Sequence, residues 1–199
     1  MLHHIRKVMD MRKLLQKRAG FVTLTVIYGL LAIFLLFRST KQTLLPLIGV
    51  LVIGVALTSI CAVWMDNHQT NFAKGLEVPT NYTLSFDLLL LTFAIWPSFL
   101  KPSLATGIGI LFFLIGVGSL FIPQNHLMGI RIPPTYRSPE MWHKVNYFGG
   151  WLIVAAGYTI IILGNFWPAK TVTFMLTTVV IALVLTIGYA YLPQRPKTP

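Results

Sequence analysis

"GIRIPPTYRSPEMWHKVNYFGG", residues 129–150, crowds Gly, Pro, Arg and Trp into one short connector between two apolar runs. What flanks it decides the fold. A run of about 18 or more apolar residues can cross a hydrocarbon core of about 30 Å as a helix. Six such runs stand between polar or Pro-containing breaks, at roughly 20–37, 44–65, 84–100, 103–122, 148–166 and 171–192. The expected fold class is an all-α integral membrane protein, a six-helix transmembrane bundle. "WPSFLKPS" (96–103) leaves room for only a tight turn between the third and fourth runs, and its two prolines favour a helix reversal there.

Composition agrees. The 199 residues are 55% hydrophobic and 11% charged, with a mean hydropathy of +0.73, outside the range of ordinary soluble domains. Sixteen Lys and Arg face five acids: Asp10, Asp66, Glu77, Asp87 and Glu140. The basic residues cluster at the chain ends and in connectors, which suits an anionic membrane surface and makes the lipid bilayer the expected partner. Nucleic acid would need a basic face on a folded soluble domain, and no stretch is long enough for one.

With six spans, Arg38, Lys41, Lys101 and Lys170 fall on one side and the other 12 basic residues on the opposite side. The positive-inside rule then places both termini and the quoted connector in the cytoplasm. Asn81 opens an "NYT" sequon on that same side, so glycosylation is not expected. The expected segmentation is a basic N-terminal segment (1–19), two spans and a polar cytoplasmic loop (20–83), a four-span region (84–192) carrying the connector 123–150, and a cytoplasmic tail (193–199). "HHIRKVMDMRKLLQKR" (3–18) is like a signal-peptide n-region, but the run after it ends in "LLFRSTKQ" without a small-residue cleavage site. The first span should therefore stay. Residues 1–18 read equally as an amphipathic helix, with Leu2, Ile5, Met9, Leu14 and Leu15 toward lipid, or as a basic tail.

Cys61 lies in an apolar run and reads as a packing residue, with no disulfide framework around it. His3, His4, His68, His126 and His143 all fall outside the apolar runs. His126 and His143 flank the connector but have no evident third ligand, so neither a metal nor a cofactor is expected. No H-E-x-x-H, G-x-S-x-G or paired-carboxylate site is present, and no catalytic residue is assigned. Gly109 and Gly116 in the fourth run, and Gly150, Gly157 and Gly164 in the fifth, recur every seven residues. That spacing returns to one helix face, so each set offers a groove for close helix approach.

Within the connector, Gly129 permits a turn other residues resist, and Pro133 and Pro134 stiffen the chain after it. Ser138, Pro139 and Glu140 form a helix start: a capping hydroxyl, a proline at the first position and an acid near the positive end of the dipole. A helix should begin at 139 and run on into the fifth span. Trp142, Asn146 and Gly149 or Gly150 then share one face. Asn146 needs polar partners at that depth, and Asn125, Arg131, Thr135 and Ser138 are the candidates. The spacing predicts a folded, hydrogen-bonded plug. Arg131 is costly near the bilayer unless paired with carbonyls, a carboxylate or lipid phosphate. Asp87 is a candidate counter-ion, although with Ser85 as a cap it would also be favourable as a first-turn acid.

The ordered set Asn125, Gly129, Ile130, Arg131, Pro133, Thr135, Ser138, Trp142, Asn146 and Gly150 resembles the signature of the SdpI family. The spans around it fit that family's arrangement over roughly the C-terminal half. The resemblance implies a multi-span, non-catalytic cell-membrane protein of the type found in Gram-positive bacteria. It would give immunity to a secreted peptide toxin, relay the toxin's presence to a cytoplasmic transcriptional repressor, or do both. Typical members have an aromatic residue where this chain has Pro134, and often Thr and His where it has Val145 and Asn146. Larger members carry an N-terminal membrane domain with its own Pro, His, Gly and Asp motif, and residues 1–83 do not show that motif. Two other readings stand beside it: a small transporter or channel, for which Asp87 is the lone ionisable residue within the runs, and a membrane enzyme.

Overall fold

The computed structural model describes residues 2–68, 77–120, 122, 124 and 129–192, with side chains described for 19–57, 59, 79–120, 122, 124 and 129–192. The described chain is entirely helical. Its α-helices are α1 (Leu2–Arg38), α2 (Lys41–His68), α3 (Glu77–Ile95), α4 (Leu104–Ser119), α5 (Pro139–Phe166) and α6 (Thr171–Tyr191). Short 3-10 turns at Pro97–Leu100, Pro133–Tyr136 and Pro168–Lys170 join them. Each begins at a proline, whose fixed φ suits a helix start and whose missing N–H costs nothing there.

Among the described residues, three segments are long and apolar enough to cross a membrane: Ala19–Arg38, Pro139–Phe166 and Pro168–Tyr191. Lys41–Leu57 and Leu104–Ser119 are shorter apolar helices. Large apolar side chains such as Val26, Leu30, Leu45, Leu88, Leu111, Val180 and Val184 point outward, which is the surface a bilayer requires. The protein is an all-helical, multi-pass membrane protein.

The chain divides into two compact units, Met1–Lys101 and Pro102–Pro199. The boundary falls inside "WPSFLKPS", the reversal between the third and fourth runs. In the first unit α3 packs against both α1 and α2, burying Phe86, Leu89, Leu90 and Phe93 with Leu35, Leu47 and Val50. The Tyr28 hydroxyl donates to Leu51 O at 2.9 Å and ties α1 to α2.

The polar stretch after the second run is expected to be a loop as far as residue 83, yet α2 runs to His68 and α3 begins at Glu77; residues 69–76 lie outside the described residues. The polar side chains do not stop the helix because they bond to it: Thr83 Oγ1 donates to Pro79 O and Ser85 Oγ to Asn81 O, both at 2.8 Å. Asp87 is therefore well inside α3, and the alternative of a first-turn acid capped by Ser85 is excluded. Residues 2–18 belong to the same continuous helix as the first span, so a basic tail gives way to helix; the facing of their side chains lies outside the described set.

In the second unit α5 is the centre, packed against α4 on one side and α6 on the other. The glycine grooves meet each other. A Cβ at Gly116 would lie 2.8 Å from Gly150 O, and one at Gly157 would lie 2.7 Å from Gly109 O. A Cβ at Gly164 would sit 2.6 Å from that of Ala105. Seven-residue spacing on both helices thus lets the two backbones touch along their length.

Candidate functional site

The described part of the connector, residues 129–138, leads into α5. Ser138 caps it, its hydroxyl accepting from Met141 N at 3.1 Å, and the helix runs unbroken from Pro139 through the fifth span. Trp142 and Asn146, one turn apart, are both buried. Asn146 Oδ1 accepts from Ile130 N at 2.6 Å, and its Nδ2 donates to Trp142 O at 3.0 Å. The Trp142 indole N–H donates to Ile122 O at 2.8 Å. One asparagine and one tryptophan therefore hold two stretches of the connector by their backbone.

Gly129 makes this closure possible. Its φ is +105°, the one positive value among the described residues, and a Cβ there would lie 2.7 Å from the Trp142 ring and 2.8 Å from Asn146 Oδ1. Both the turn and the close approach demand glycine. Ile130 then packs its Cδ1 over Gly149, where Thr186 of α6 also approaches. Gly150 serves a different contact, against Gly116 and Leu120. The shared-face ambiguity resolves: Gly149 belongs to the connector latch and Gly150 to the α4–α5 seam.

Thr135 is fully buried in the 3-10 turn. Its hydroxyl donates to Ile132 O at 2.8 Å and accepts from Ile132 N at 3.2 Å. Pro134 is buried beside it while Pro133 and Arg131 are exposed, and Tyr136 lies against Trp142 with ring centroids 5.8 Å apart. Asn146 thus finds its partners in backbone groups; Arg131, Thr135 and Ser138 do not supply them, because Thr135 and Ser138 are spent on local turns. Asn125 and His126 lie outside the described residues, as does any meeting of His126 with His143. His143 stands beside Tyr147 at 6.0 Å between ring centroids.

Arg131 makes no hydrogen bond or ion pair among the described residues. Asp87 is buried, 5% exposed, and among the described residues neither carboxylate oxygen has a hydrogen-bond partner. The two residues belong to different units.

Sequence reading missed a second polar cluster at the far end of α5. Ser103 Oγ donates to Asn165 Oδ1 at 2.9 Å, and Asn165 Nδ2 donates to Thr106 Oγ1 at 3.1 Å and to Ile161 O at 2.8 Å. The signal was available: Asn165 is a lone amide in an apolar run. Ile122, by contrast, contributes only its carbonyl, which no side-chain pattern reveals.

An all-helical membrane protein with a latched interfacial connector is the class these features define. Residues 121–191 match the SdpI/YfhL protein family. Immunity protein SdpI of Bacillus subtilis (strain 168) is 34% identical over 86 residues, which cover 43% of this chain and 41% of that protein. The chain thus aligns with less than half the length of this curated relative. No solved structure matches. The cell membrane is its place, as a multi-pass protein.

Proposed function

We propose that this chain is a non-catalytic immunity-type membrane protein that protects its host from a secreted antimicrobial peptide toxin, relays the toxin's presence to a cytoplasmic regulator, or does both. The observation that carries the reading is the latch of Gly129, Ile130, Trp142 and Asn146, which lies within the residues matched to the family. Similarity to a protein named as an immunity protein supplies the class of function. The six-span count and cytoplasmic termini belong to this proposal, resting on the six apolar runs and the distribution of Lys and Arg. In that topology the latch faces the cytoplasm, with Arg131 and Arg137 exposed on it toward lipid phosphate or a regulatory partner.

The test is survival of a toxin-sensitive Gram-positive host expressing the protein and challenged with secreted peptide toxins. Asn146→Ala and Arg131→Ala variants, confirmed at equal membrane level, run alongside. Protection by the parent and its loss in either variant supports immunity through the connector. Absence of protection from the parent against every toxin, with no change in reporter output from the host's regulators, overturns it. A small transporter is the second reading, favoured by the buried Asp87 inside α3.

A further inference from the structure

The latch holds Arg131 at a definite depth. The Ile130 N–H just before it bonds to Asn146 Oδ1 at 2.6 Å, and the Ile130 side chain packs over Gly149. A hydrocarbon core of about 30 Å takes about 20 residues of helix. Counted back from Phe166, where α5 ends, the boundary falls at Tyr147, next to Asn146. Arg131 therefore stands at the edge of the hydrocarbon.

Arg137 stands at the other limit of the same layer. It precedes Ser138, the cap of α5, and the helix rises about 10 Å from Pro139 to Asn146. That is close to the headgroup layer of one leaflet, about 5–8 Å thick. The turn between the two arginines is tied down. Thr135 is buried and its hydroxyl meets both backbone groups of Ile132, and the Arg137 N–H donates to Pro134 O at 3.2 Å. Tyr136, between them, is 45% exposed.

Both arginines are exposed, and neither guanidinium has a hydrogen bond or ion pair among the described residues. The acid of this stretch, Glu140, pairs with Lys144 at 3.2 Å, so it does not offset them. A guanidinium at the hydrocarbon edge is costly unless it meets an anion, and its planar fork matches two oxygens of a phosphate. We infer that Arg131 and Arg137 bind the phosphate headgroup of an anionic phospholipid on the surface of the connector, Arg131 at its acyl side and Arg137 at its outer side. A headgroup of net negative charge is favoured over a zwitterionic one, because the two cations repel an amine. Depth selects a lipid over a soluble anion. The inference rests on the connector lying at the interface, and neither on immunity nor on which leaflet it faces.

The experiment is native mass spectrometry of the full chain in detergent, titrated with phosphatidylglycerol and, separately, with phosphatidylcholine of the same acyl chains. The expected result is saturable phosphatidylglycerol binding that weakens by about tenfold or more when Arg131→Gln and Arg137→Gln are combined. Lys170→Gln, in the turn at the opposite end of α5, should leave it unchanged. Both arginines are exposed, so the fold should survive their replacement; Trp142 fluorescence and a thermal melt confirm it. Excess inorganic phosphate should leave the lipid bound, and displacement by it overturns a lipid as the occupant. Equal binding of the two lipids by the parent, parent-like affinity in the double variant, or an equal loss in Lys170→Gln overturns the site and leaves the arginines to an acidic protein partner.

Discussion

The side-chain carbonyl of Asn146 accepts the backbone N–H of Ile130 at 2.6 Å, across a gap that closes only because Gly129 turns with a positive φ. A single amide on α5 thereby ties the backbone at Ile130 to the helix. Such a buried amide is expensive to leave half-made.

Replacing Asn146 by Ala leaves the Ile130 N–H without its acceptor and should lower unfolding stability by about 1–3 kcal/mol. Thermal unfolding in detergent, with Trp142 fluorescence as the local probe, measures it. Unchanged stability and an unchanged indole signal would show that the latch is not closed in the membrane protein.

Gly129→Ala combines a strained backbone with a Cβ 2.7 Å from the Trp142 ring. The expected cost is about 1–3 kcal/mol, with increased proteolytic cleavage between residues 121 and 138. Gly107→Ala is the matched control. Nothing lies within 4 Å of a Cβ there, and alanine favours helix by up to about 1 kcal/mol.

Gly157→Ala should drive α4 and α5 apart, because its Cβ would meet Gly109 O and Phe113 N at 2.7 Å. Overpacking of this kind costs about 1–3 kcal/mol. A cysteine cross-linking series along the α4–α5 seam would report the separation as slower coupling than in the parent.

Asn165→Leu removes the amide that links Ser103, Thr106 and Ile161 O. Interhelical hydrogen bonds of this kind are worth about 0.6 kcal/mol on average and up to about 1.7 in membrane proteins. A shift within that range in steric-trap unfolding supports a clamp, and a gain in stability would refute it.

Much of this was legible in the residues. Apolar runs announce membrane helices because an unpaired backbone is intolerable in lipid, so composition alone dictates helix. The Ser138-Pro139 start and the facing glycines were equally readable, since caps and helix faces depend on residues a few positions apart. The start of α3 was not: Thr83 and Ser85 look like loop residues until their hydroxyls are seen turned back onto Pro79 O and Asn81 O.

What the sequence by itself determined is the class of protein and the place of the connector, and it marked Gly129 there as a turn and Trp142 and Asn146 as one helix face. Tertiary structure alone decided what each of them touches. Ile122 and Ile130 enter the latch through backbone atoms that carry no residue-type signature, and Gly149 and Gly150 part company because adjacent helical positions diverge by about 100°. Asp87 became an unpartnered buried acid for the same reason: burial is a property of what packs around a residue, and the chain order does not contain it.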